Sequence, residues 1–172
     1  MFITRTFRVT LLATLLVLTA GTISIPSSVD AKIIEHNETT TPYTVMQIIE
    51  ASNKERTTEH LTQLTVNKKL SIAAQRKADD MAKNSYFAHY SPTGVSPWDW
   101  LRGVEYNYVY AGENLAVHFT TIEKLMQAWM NSPSHRANIM NKHYLETGIG
   151  IAQGIRNGIP GWFVVQVFGT EQ

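Results

Sequence analysis

The segment Trp162-Phe163-Val164-Val165-Gln166-Val167-Phe168 is aromatic and β-branched, with one polar residue in its length. Side chains alternate between the two faces of an extended chain. Trp162, Val164, Gln166 and Phe168 then share one side, and Phe163, Val165 and Val167 the other. A strand apolar on both faces belongs in the middle of a sheet that is covered on both sides. Working outward, Thr147 to Ala152 is a second β-rich run, and Asn157-Gly158 together with Pro160-Gly161 marks a turn between the two. Leu115 to Phe119 reads as a third, short strand.

The cover is helical. Leu70, Ala73, Ala74, Ala78 and Met81 recur at three- and four-residue steps, with Arg76, Lys77, Asp79 and Asp80 read as the solvent face. Asn67 is placed to cap this helix, which stops near Asn84. An earlier helix carries Val45, Ile48, Ile49 and Ser52 on one face and turns polar at Lys54-Glu55-Arg56. A later one runs from about Thr121 to Asn131, with Ile122, Leu125, Met126 and Trp129 inward. Pro97 starts a short helix in which Trp98 and Trp100 bracket Asp99, both tryptophans reading as core or rim. Helices before and between antiparallel strands predict an α+β fold, a three-layer α/β/α sandwich around a central, mostly antiparallel sheet.

The chain of 172 residues opens with Arg5 and Arg8, then runs from Val9 to Ile25 without a charge, and reaches Val29-Asp30-Ala31 after Pro26. Basic, apolar and small-residue parts in that order predict a signal peptide over 1–31, cleaved after Ala31. The apolar run is short of the roughly 20 residues a bilayer core needs, and four threonines dilute it. A secreted protein is expected, with residues 32–43 as a polar, flexible leader and 44–172 as one domain, acting as a monomer without a membrane span. Cleavage removes Arg5, Arg8 and Asp30 and leaves 13 basic against 13 acidic residues. That balance excludes nucleic acid as the expected partner. With no cysteine, the domain is held by packing and hydrogen bonds, not disulfides.

Three segments carry polar groups that a packed domain does not need. They are Phe87-Ala88-His89-Tyr90-Ser91-Pro92, Ala111-Gly112-Glu113-Asn114-Leu115, and Trp129 through Ser132-Pro133-Ser134-His135-Arg136-Ala137-Asn138-Ile139. Imidazoles and a carboxylate are the usual ligands of zinc-like ions and the usual acid–base groups of hydrolysis. Taken singly, each also reads as a structural residue: a histidine hydrogen-bonded beside aromatics, a glutamate capping backbone. The chain has no HExxH, P-loop or GxSxG pattern, so Ser91 and Ser132 are not read as nucleophiles.

In this order the segments resemble the CAP superfamily (cysteine-rich secretory proteins, antigen 5, pathogenesis-related 1), and most closely its bacterial SCP-like extracellular branch. The resemblance runs from about Ile48 to Phe168. It includes Asn53-Lys54-Glu55-Arg56, the Leu64, Leu70 and Ala74 positions, and Glu146-Thr147-Gly148-Ile149-Gly150. It implies a cleft in which His89 and His135 match the family's histidine pair, able to hold Zn or another divalent cation, and Glu113 matches its first glutamate. The second glutamate normally lies three residues after the helix tryptophan, where this chain has Ser132. His89, Glu113, His135, Ser132 and Asn114 are therefore the expected binding cleft, with His89 and His135 as metal ligands.

Two functions follow. One is a secreted protein whose cleft binds a ligand or a cell-envelope component without turnover. The other is a metal-assisted, peptidase-like hydrolase in which Glu113 orients or deprotonates a water. The incomplete glutamate pair favours the first. Around the site, Glu146 is expected to bond Arg136, with completion of the cleft as its other reading, and Asn114 and Asn138 to tie loops to backbone groups. His118 is expected to be partly exposed and not a ligand, with His36, His60 and His143 facing solvent.

Overall fold

A computed structural model describes residues 41–172 of the chain; the expected signal peptide, most of the leader and His36 lie outside the described residues. Five helices and four strands follow in the order α1 (Val45–Thr58), β1 (Thr65–Val66), α2 (Lys68–Lys83), α3 (Pro97–Arg102), β2 (Tyr108–Val117), α4 (Ile122–Asn131), α5 (Pro133–Ile139), β3 (Glu146–Arg156) and β4 (Ile159–Glu171). The caps explain the starts. Thr44 accepts from the Gln47 amide while the Gln47 side chain accepts from Thr44, and Asn67 accepts from the amides of Lys69 and Leu70. Ser96 with Asp99 repeats the reciprocal arrangement at α3, and Thr121 caps α4.

The strands form one sheet in the order β1-β3-β4-β2. Only the two-residue β1 is parallel to its neighbour; β3, β4 and β2 are antiparallel. β4 is therefore interior, as its two apolar faces require. Phe163, Val165 and Val167 pack with Leu70, Ala74 and Met81 under α2, while Val164 and Phe168 pack with Ile48, Leu125 and Trp129 under α1 and α4. Tyr43 is already part of that second core. Among the described residues no helix is long and apolar enough to cross a membrane.

Several expectations are corrected. β2 begins seven residues before Leu115 and ends at Val117. The turn between β3 and β4 is Asn157-Gly158 alone, both at positive φ, and Pro160 and Gly161 are already paired in β4. The Pro133–Ile139 segment, not read as a helix from the sequence, forms α5. Lys77, read on the solvent face of its helix, and Arg56, in the stretch where α1 turns polar, are fully buried. Glu146 does not meet Arg136: it accepts from Asn67 Nδ2 at 2.8 Å and Tyr106 Oη at 2.7 Å, while Arg136 reaches Glu59 at 3.3 Å.

Candidate functional site

β2 is an edge strand, and the two helical layers meet around its open side. Its outward carbonyls are taken by side chains of the α4–α5 layer and the loop after it. Tyr144 Oη donates to Ala111 O at 2.9 Å, Asn138 Nδ2 to Glu113 O at 3.1 Å, and Trp129 Nε1 to Leu115 O at 3.1 Å. These bonds blunt an edge that otherwise invites strand addition, and they bind α4 and α5 to the strand that carries Glu113. Asn114 extends the set, donating to His135 O at 3.1 Å and accepting from Asn138 at 2.9 Å.

His89 arrives from the opposite layer, on the loop after α2. Its Nδ1 donates to Glu113 Oε1 at 2.7 Å; the carboxylate can only accept, which sets the tautomer. The Glu113 side chain is 4% exposed and that of His89 53%. His135 Nδ1 is hydrogen-bonded to Ser132 Oγ at 2.8 Å. Burial, and then the neighbouring His89, hold the His135 imidazole below its ordinary pKa. Each imidazole thus has Nδ1 engaged, and among the described residues neither Nε2 has a hydrogen-bond partner.

Around this pair are two hollows. One of about 340 Å³ is lined by His89, Glu113, Tyr90, Trp98, Asn138 and Tyr144. The other, about 300 Å³, includes Ser132, His135 and Trp129. A larger hollow of about 600 Å³ lies between α1 and α4, edged by Lys54, Glu55 and Glu123. Neither imidazole lines it, so its size does not make it the site of the acid–base groups.

His118 is exposed, with Nε2 3.3 Å from Ile159 O, and His143 is exposed and stacked on Tyr110 with centroids 4.6 Å apart. Ser91 is occupied locally: its Oγ accepts from the Val95 amide at 3.0 Å.

Lys77 is the site residue that sequence reading missed. Its Nζ donates to His89 O at 2.9 Å and Tyr86 Oη at 3.1 Å, and Tyr86 donates to Asp80 Oδ2 at 2.5 Å. Burial pushes the Lys77 pKa down, opposed by the charges of Glu113 and Asp80. Lys77 lies three residues after Ala74 and four before Met81, so the periodicity of α2 placed it inward. Lys77→Met keeps the stem and removes the donors. It is expected to cost about 1–3 kcal/mol in urea unfolding and to speed hydrogen exchange at the amides of His89 and Ser91. Unchanged exchange there sinks the anchoring role.

The fold is an α/β/α sandwich in which His89 and His135 each line a hollow beside the edge strand β2. The profile of the CAP, cysteine-rich secretory protein family matches residues 49–168, and the chain belongs to that family. Among curated relatives, YkwD of Bacillus subtilis is 38% identical over 107 residues, 62% of this chain and 42% of that protein. The B. subtilis membrane protein YlbC is 30% identical over 105 residues, 61% of this chain and 30% of that one. The chain therefore spans less than half the length of either. An extracellular SCP-domain protein of Bacillus anthracis superposes with a TM-score of 0.63 at 29% identity, covering 74% of this chain and 40% of that one. An outer surface protein of Borrelia burgdorferi, at 22% identity and a TM-score of 0.62 over 73% of this chain and 90% of its own, shares the fold.

Proposed function

We propose that this chain acts outside the cell as a binding protein, its His89–Glu113 and His135–Ser132 cleft taking a ligand or cell-envelope component without turnover. The observation that carries this is the state of the two imidazoles. Each is fixed through Nδ1, by a nearly buried carboxylate or a hydroxyl, with Nε2 left for a ligand. The extracellular site of action is supported by the basic–apolar–small-residue start of the sequence and by the extracellular SCP-domain relative.

The same arrangement fits a divalent cation such as Zn²⁺ in an open site. Metal-bound histidines characteristically donate their other N–H to a carboxylate or similar group. His89 and His135 would hold the ion, which would supply positive charge and free positions for an oxygen ligand. Among the described residues no three His, Cys, Asp or Glu side chains converge as a ligand set, so the donors do not build a closed structural site. The hydrolase alternative needs Glu113 available to a water, whereas its Oε1 is bonded to His89.

Calorimetry is expected to give one Zn²⁺ per chain, lost in both His89→Ala and His135→Ala. Glu113→Gln is expected to weaken binding roughly 10–100-fold. Peptide substrates should not be cleaved with or without the ion. Absence of heat removes the cation from the proposal, and metal-dependent cleavage lost in Glu113→Gln replaces binding with hydrolysis.

A further inference from the structure

We propose that the hollow on the His135 side is a subsite for a monocarboxylate with a compact apolar body, gripped by the guanidinium of Arg156. This deepens the cleft reading and rests on it. The described residues contain five arginines, and four have partners. Arg56 donates to buried carbonyls, Arg76 to Gly103 O, Arg102 to Asp99, and Arg136 to Glu59. The side chain of Arg156, the last residue of β3, has neither a hydrogen bond nor an ion pair among the described residues.

It is nevertheless placed. Its guanidinium carbon lies 4.6 Å from the centroid of the Phe87 ring, and Phe87 packs in turn against Phe163 at 6.5 Å. Stacking engages the face of a guanidinium and leaves its in-plane N–H groups for an acceptor. Arg156 and Phe87 line the same hollow of about 300 Å³ as Leu115, Val117, Trp129 and His135. No Asp or Glu lines it, in contrast to the Glu113 hollow beside it.

The ligand class follows from that lining. A guanidinium recognises a carboxylate through two parallel N–H···O bonds. Arg156 is the one side chain of permanent charge on the lining, which matches a single negative charge and leaves a phosphate dianion undercompensated. The aromatic and aliphatic walls take an apolar body. A volume at the bottom of the usual ligand range limits it to a branched aliphatic group or one ring.

The test is a set of ¹H–¹⁵N titrations of the full chain in chelator, so that zinc binding does not enter. The reporter is the Trp129 indole N–H, which bonds Leu115 O inside this hollow. The probes are 4-methylpentanoate, its amide, inorganic phosphate, and acetyl-Ala-Leu with a free or an amidated C-terminus. Saturable shifts are expected with the acids, at least tenfold weaker binding of both amides, and no competition from phosphate. The tighter of the two acids tells a free carboxylate from a peptide C-terminus. Arg156→Met should weaken acid binding at least tenfold, with Arg156→Gln as the polar alternative if the first variant misfolds. Amides binding as well as acids, phosphate binding as tightly, or an indifferent Arg156 variant each overturn the assignment. If zinc binds but acids do not, this subsite alone falls; if acids bind without zinc, it stands without the metal.

Discussion

Arg56→Met is expected to lower the free energy of unfolding by about 3–5 kcal/mol, read as a shifted urea midpoint at constant slope. Arg56 has no exposed surface, and the nearby carboxylate-bearing residues do not pair with it. Its guanidinium donates instead to four carbonyls: Thr62 at 2.8 Å, Ile139 at 2.8 Å, Asn141 at 2.9 Å and Tyr144 at 3.0 Å. Ile139 ends α5, so the cation also meets the negative end of that helix. Methionine fills much of the stem's volume but leaves these acceptors facing apolar groups, and each unsatisfied buried group costs on the order of 1–3 kcal/mol. Lysine, with one point charge on a shorter reach, should recover part of the loss. Arg136→Ala is the contrast. Its pair with Glu59 joins the same two helices, but the side chains are 48% and 56% exposed, and the change should stay within about 0.5 kcal/mol. Equal midpoints for Arg56→Met and Arg136→Ala would mean that water replaces the guanidinium, and that the cluster is not a structural anchor. The loop it pins carries Tyr144, whose hydroxyl holds β2 beside the cleft.

Arg56 and Lys77 also show where the sequence could be read and where it could not. Ile49, Ser52 and Arg56 are spaced three and four apart, as are Ala74, Lys77 and Met81. That spacing is consistent with an inward position for both cations, whereas reading charge as surface set Lys77 outside and left Arg56 in a polar stretch. The surface reading failed because each cation finds oxygen partners inside: four carbonyls for Arg56, and Tyr86 Oη with His89 O for Lys77. The two-sided apolarity of β4 and the cap of α2 were legible because they are local properties of the chain. β1 was not, since two residues paired in parallel leave no period to detect. α5 was not marked as a helix, although Pro133 stands at its first position, where proline's missing N–H costs nothing. The cleft was the least legible part. His89, Glu113 and His135 come from a loop, an edge strand and a short helix, so the His89–Glu113 bond and the nearness of His135 to His89 are consequences of topology. Motif order named the residues, but the Nδ1 partners and the Arg156 hollow depend on side-chain geometry across layers.

The distance that brings those layers together depends on β3, and Gly150→Ala is expected to cost at least about 3 kcal/mol. α2 lies directly on this strand. A Cβ at Gly150 would stand 2.2 Å from Ala74 O, and one at Gly148 2.2 Å from Leu70 C and Ser71 N. The clashing atoms are helix backbone, which cannot rotate away as a side chain can. The facing residues on α2 are Ala73, Ala74 and Ala78, so small groups on both partners set the close approach. Alanine at either glycine must lift the helix, opening the Leu70–Val165 core and moving the α2 end from which the His89 loop departs. The 2.7 Å bond to Glu113 on β2 would then lengthen. Gly158→Ala is the control: it occupies open space at a φ of +78°, and should cost only the left-handed penalty of about 1–2 kcal/mol. The His89 imidazole resonances separate the cases. They should shift in Gly150→Ala and Gly148→Ala and stay in place in Gly158→Ala. A Gly150 variant that is destabilised yet leaves the His89 resonances unmoved would show that the loop, held by Lys77 and Glu113, keeps its place independently of the helix behind it.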